Sequence, residues 1–136
     1  MRSGIDKERT VLVVDDHREL RTLLQSLLER AGYRVEIAEH GEQALQRLRR
    51  GRVDAVVLDI DMPVMNGRAF LEARSKDADL ARVPVVVYSA DLQPAMLPAG
   101  ITAWIWKGAE SSDLLAAIAA CQGQSVSTRA SPLAPT

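Results

Sequence analysis

Four apolar runs in this chain each end in a side chain that can do chemistry. VLVV is followed by Asp15-Asp16 and AVVL by Asp59, with Asp61 two residues on. VVVY is followed by Ser89, and WIW by Lys107. Each signal alone is weak, because an Asp after a strand often caps a helix and a lone Lys is usually solvated. Brought together, they form a recognisable set. Three carboxylates at close quarters resist joint ionisation without a cation among them, and one lysine does not neutralise three. A hard divalent cation does, and Mg²⁺ takes one or two carboxylates and keeps waters in its shell. Cation, hydroxyl and ammonium together clamp the oxygens of a transferring phosphoryl group. A carboxylate in the middle can serve as the nucleophile. The inferred chemistry is phosphoryl transfer to an aspartate. The two histidines, His17 and His40, stand apart and are expected at the surface, so no His–Cys grouping argues for zinc.

These side chains meet only if the runs before them are neighbouring parallel strands. Short β-branched runs occur at Val11–Val14, Val35–Ile37, Ala55–Leu58, Val85–Tyr88 and Trp104–Trp106. Segments with helical spacing lie between them. His17–Ala31 carries Leu20, Leu23, Leu24, Leu27 and Leu28 as an apolar stripe, and Glu42–Arg50 turns Ala44, Leu45 and Leu48 inward. A third helix follows Gly67, and Ser111-Ser112-Asp113 start a last one over Leu114–Cys121. Strand–helix alternation predicts α/β architecture: an open, doubly wound, five-stranded parallel sheet in the flavodoxin-like order 2-1-3-4-5. VLVV, AVVL and VVVY are continuously apolar, as strands buried on both faces should be. Tyr33–Ala38 alternates apolar with charged, which puts the second strand at an edge. In such sheets the C-terminal strand ends line one crevice, where ligands bind. ADLQPAMLPAG, over Ala90–Gly100, carries Pro94 and Pro98 and predicts a shortened or irregular fourth helix of one or two turns at most.

The 136 residues suit one domain, and the formal charge of -1 gives no general pull toward nucleic acid or an anionic membrane. RLRRGR at Arg47–Arg52 is explained by a solvated helix end. The single cysteine, Cys121, forms no internal disulfide and falls in an apolar helical pattern, as a buried, inert thiol would. No run reaches membrane-spanning length and the N-terminus lacks a signal-peptide core, so a cytoplasmic setting is expected. The expected organisation is a flexible N-terminus over 1–9, a folded domain over 10–121, and a disordered tail or linker start over 122–136.

Over roughly residues 10–121 the chain resembles a receiver domain of two-component response regulators. The pieces that carry the likeness are VLVVDD, VVLDIDMPVMNG, VVVYSA and WIWK, with Asp59, Met62, Pro63, Met65 and Gly67 forming a DxxMPxMxG pattern. The resemblance implies that Asp59 accepts phosphate from a histidine kinase or histidine phosphotransfer protein, as one step of a phosphorelay. It implies Mg²⁺, or Mn²⁺, held by Asp16 and Asp59, with Asp15 on a metal-bound water and the backbone carbonyl of Asp61 as a further ligand. Lys107 would pair with Asp59 and then with the phosphate, and Ser89 would move its hydroxyl onto it. The side chains of Asp61 and Asp91 would tune phosphate lifetime, and Trp104 stands at the aromatic switch position. The implied domain is no enzyme beyond its own phosphotransfer and autodephosphorylation. It would signal to a downstream protein partner, or through a homodimer, with no direct contact to nucleic acid or membrane.

Three departures stand out. Gly108 follows Lys107 where the family nearly always has Pro; Trp104 is larger than the usual Tyr or Phe, with Trp106 on the same face by alternation. The Ser89–Lys107 interval is also about one helical turn short. Gly108 and the interrupted fourth helix favour an alternative, a receiver-like docking module that works without phosphate; the intact Asp, Ser and Lys set opposes it. A haloacid-dehalogenase-like phosphatase is a further reading, since LDID resembles its DxD. That motif, however, sits near the N-terminus and runs on toward Gly-Thr, whereas LDID is mid-chain and precedes Met-Pro.

Overall fold

The structure is a computed structural model, and it describes residues 9–60, 67–91, 93–97 and 99–130, with the backbone alone for 122–130. Five strands alternate with helices: β1 (Thr10–Val14), α1 (Arg18–Arg30), β2 (Arg34–Ala38), α2 (Gly41–Arg49), β3 (Ala55–Leu58), α3 (Gly67–Ser75), α4 (Ala78–Ala81), β4 (Val85–Ser89), β5 (Ala103–Trp106) and α5 (Ser111–Ala130). They form one parallel sheet in the order β2-β1-β3-β4-β5. The doubly wound α/β fold and the edge position of β2 are as the alternation predicts.

The pleat divides the apolar residues of each central strand between two cores. Leu12, Val14, Val56, Leu58, Val85 and Val87 pack against Ala44, Leu45, Leu48, Phe70 and Leu71 of α2 and α3. Val11, Val13, Ala55, Val57 and Val86 face the other way, against Leu24 and Leu28 of α1 and Leu114, Ile118 and Cys121 of α5. Burial on both faces is why these strands read as unbroken apolar runs. Burial also pushes the Cys121 thiol above its ordinary range. Among the described residues no helix is long and apolar enough to cross a membrane.

Three local features differ from the sequence expectation, and the connection after β4 is as irregular as its prolines predict. The inward line of α1 is Arg21, Leu24 and Leu28, while Leu23 is 63% exposed, because the buried stripe is narrower than its leucines suggest. α4 is a single extra turn whose start is capped by the Asp77 carboxylate, which accepts from the Asp79 and Leu80 N–H groups. Residues 90–102 contain no helix among those described, as the paired prolines of that connection favour. Trp104 is buried there, with Leu97 and Ile101 packed on the same core. Finally, α5 runs nine residues past Cys121 to Ala130, the last described residue, through a stretch whose composition predicts a tail.

Candidate functional site

Parallel registry delivers the chemical side chains to one edge. Leu58 pairs with Val14 of β1 and with Val87 of β4, so the residues after these strands leave the sheet side by side. The Asp59 N–H donates to the Val14 carbonyl at 2.9 Å, and the Asp15 N–H donates to Ala38 at 3.1 Å. Ser89 pairs with Trp106, and the Lys107 N–H donates to the Ser89 carbonyl at 2.7 Å. The ladder thus extends one residue beyond β1, β3 and β5, at Asp15, Asp59 and Lys107, while Ser89 is the last residue of β4 itself.

Asp15 is 1% and Asp59 4% exposed, so both carboxylates sit below the surface of the crevice. Ligand atoms of Asp15, Asp16, His17 and Asp59 all lie within 4.8 Å of one another. Lys107 Nζ approaches Asp59 Oδ1 to 3.8 Å, an ion pair and not a hydrogen bond. Asp16 Oδ1 is buried and accepts no hydrogen bond, although His17 Nδ1 stands 3.2 Å away. Clustered carboxylates with an unsatisfied buried oxygen suit a hard, oxygen-seeking dication, and the set fits Mg²⁺.

Ser89 is buried at the same edge, and its hydroxyl accepts the Asp91 N–H at 3.0 Å. The loop after Ser89 is gripped from β5 by two indoles. Trp104 Nε1 donates to the Asp91 carbonyl at 3.0 Å, and Trp106 Nε1 to the Ala90 carbonyl at 3.2 Å. Asp91 itself is exposed. The Lys107–Gly108 bond is trans. Asp61, with Met62, Pro63 and Met65 of the motif, falls outside the described residues. Gly67 is explained by its surroundings: its N–H donates to the Ile60 carbonyl at 2.8 Å, and a Cβ there would stand 2.5 Å from the Ile60 Cα.

Two contributors escape the sequence reading. Arg21 is buried on the inward line of α1 and donates through Nη1 to the Asp15 carbonyl at 2.9 Å, with Nη2 3.9 Å from Glu39. The signal for it is a charge on a core-facing position, three residues before Leu24 and seven before Leu28. His17 is exposed but not isolated, since its Nδ1 stands 3.2 Å from both Asp15 Oδ1 and Asp16 Oδ1. Its adjacency to the acidic pair was the available signal.

A sequence model of the response regulator receiver domain matches residues 11–119. The chain is 35% identical over 121 residues to the CAI-1 autoinducer sensor kinase/phosphatase CqsS of Vibrio cholerae, covering 83% of this chain and 17% of that protein. It is 39% identical over 115 residues to the sensory/regulatory protein RpfC of Xanthomonas campestris, covering 80% and 16%. It thus spans about a sixth of the length of these curated relatives. Among solved structures, the response regulator TrrA of Thermotoga maritima in complex with Mg²⁺–BeF superimposes with a TM-score of 0.74 at 28% identity, covering 83% of this chain and 98% of that one.

Proposed function

Because the chain belongs to the response regulator receiver domain family, we propose that Asp59 is its phosphoacceptor and that phosphorylation there switches a protein-interaction surface. Receiver domains bind Mg²⁺ at an acidic cluster of the kind formed by Asp15, Asp16 and Asp59. In our reading Asp16 and Asp59 bind the cation through carboxylates, Asp15 orients one of its waters, and the Asp61 carbonyl completes the protein's share. When bound, the cation neutralises charge on the transferring phosphoryl oxygens.

An Asp59 carboxylate oxygen attacks the phosphorus of a donor phosphohistidine. The P–O bond forms as the P–N bond breaks, and the donor imidazole leaves. Lys107, paired with Asp59 beforehand, transfers its charge to the new phosphate. Ser89 exchanges the Asp91 N–H for a phosphate oxygen, and that exchange loosens the loop held by Trp104 and Trp106. Asp61 and Asp91 set how long the acyl phosphate survives autodephosphorylation. A histidine kinase or phosphotransfer protein is the proposed donor, a further protein the receiver of the signal, and the cytoplasm the setting.

The observation that carries this reading is the burial of Asp59 beside two further aspartates with Lys107 Nζ at 3.8 Å. The test is labelling with acetyl phosphate in Mg²⁺. We expect about one phosphate per chain, lost in Asp59→Asn and on chelation. Wild-type protein that stays unlabelled, with no dication binding, would favour the phosphate-independent docking module.

A further inference from the structure

Two histidines occupy the residue before a helix in this fold, and they use their rings differently. His40 Nδ1 accepts the Gln43 N–H at 3.3 Å and so caps α2. His17 makes no side-chain cap to α1. Its backbone N–H donates to Asp15 Oδ1 at 2.8 Å, which pins residue 17 beside the acidic pair. Its ring nitrogen then stands within hydrogen-bond reach of Asp15 Oδ1 at 3.2 Å, and 3.2 Å from Asp16 Oδ1. Ligands at about 2.1 Å from a shared ion lie about 3.0 Å apart at right angles and about 3.4 Å apart in a tetrahedron. Both His17 separations fall between those values. The same separations suit a proton shared with Asp15 when no ion is bound and a shared ion in the proton's place, and the ring is not occupied by its helix.

We propose that His17 Nδ1 is a nitrogen ligand of this site, through which the chain takes a borderline first-row transition dication such as Ni²⁺ or Co²⁺ in a set that Mg²⁺ does not use. Imidazole suits such ions, whereas Mg²⁺ prefers carboxylate, carbonyl and water. The ring therefore sets selectivity and leaves the Mg²⁺ ligands as they are. The inference rests on the reading of Asp15, Asp16 and Asp59 as a cation site.

The experiment is calorimetric titration of tag-free full-length chain with Ni²⁺ and, separately, Mg²⁺, in wild type, His17→Phe, His17→Gln and Asp16→Asn, with circular dichroism to verify folding. Both His17 variants should lose at least about tenfold in Ni²⁺ affinity, the low end of what disturbing a metal's ligand shell costs, while Mg²⁺ affinity moves less than about threefold. Asp16→Asn should weaken both ions. Ni²⁺ affinity unchanged in both His17 variants, or Ni²⁺ and Mg²⁺ weakened equally, would overturn the proposal; an unchanged value would assign any Ni²⁺ to another group such as His40. Absence of Mg²⁺ binding in wild type, with Asp16→Asn silent toward both ions, would overturn the cation site itself and this inference with it.

Discussion

The far edge of the Trp106 indole occupies the space where a side chain at Gly108 would begin. Three of its ring carbons (Cη2, Cζ2 and Cζ3) lie closer to the position a Cβ would take than van der Waals contact allows. The ring is held there by its Nε1 bond to the Ala90 carbonyl, although Trp106 is 46% exposed. Glycine after Lys107 and tryptophan before it are thus one feature. A proline at 108 would collide with the indole that straps the Ser89 loop to β5.

Gly108→Ala should therefore expel the ring. In a Trp104→Phe background, where Trp106 is the remaining indole, emission should shift to the red as the ring enters water. The lost hydrogen bond should cost about 1 kcal/mol in urea unfolding. Unchanged emission would mean that the strap survives a Cβ and that the two residues are independent.

The Ser89 hydroxyl holds the Asp91 N–H, and Trp104 holds the Asp91 carbonyl, so any phosphate that captures Ser89 disturbs Trp104. Beryllofluoride with Mg²⁺ should change Trp104 emission in a Trp106→Phe background. Ser89→Ala should abolish most of that change while leaving Mg²⁺ affinity within about twofold, since Ser89 holds no cation in our reading. An equal response in Ser89→Ala would detach the indole from the switch.

Arg74 is 3% exposed, and its Nη2 donates to the Ala81 and Val83 carbonyls at 3.0 and 2.6 Å. Desolvation lowers the guanidinium pKa from its ordinary value. Arg74→Met would strand both carbonyls in the gap between α3, α4 and β4. We expect a loss of about 1–3 kcal/mol in urea unfolding, because two part-buried carbonyls lose a charged donor. A loss under about 0.5 kcal/mol would place Arg74 among surface substitutions of no consequence.

Much of the fold was legible because its signals are local and repeated. The apolar runs of β1, β3 and β4 reveal burial on both faces, and the alternation in Arg34–Ala38 reveals an edge. Once parallel pairing is inferred, the residues after those runs must share one end of the sheet. Asp15, Asp59, Ser89 and Lys107 were found that way. The reach of α5 beyond Cys121 was understated because polar composition weakens a helix without forbidding it.

What the sequence by itself determined is the order of strands, the two-faced core and the identity of the polar residues at the strand ends. Those follow from periodicity and from the limited ways a parallel sheet can be wound. Tertiary structure alone decided where the remaining polar side chains aim. It turned Arg21 into the core beneath Asp15, aimed His17 at the carboxylates while His40 capped its helix, and laid Trp106 across Gly108. Such directions depend on contacts between elements distant in the chain, and no local period encodes them.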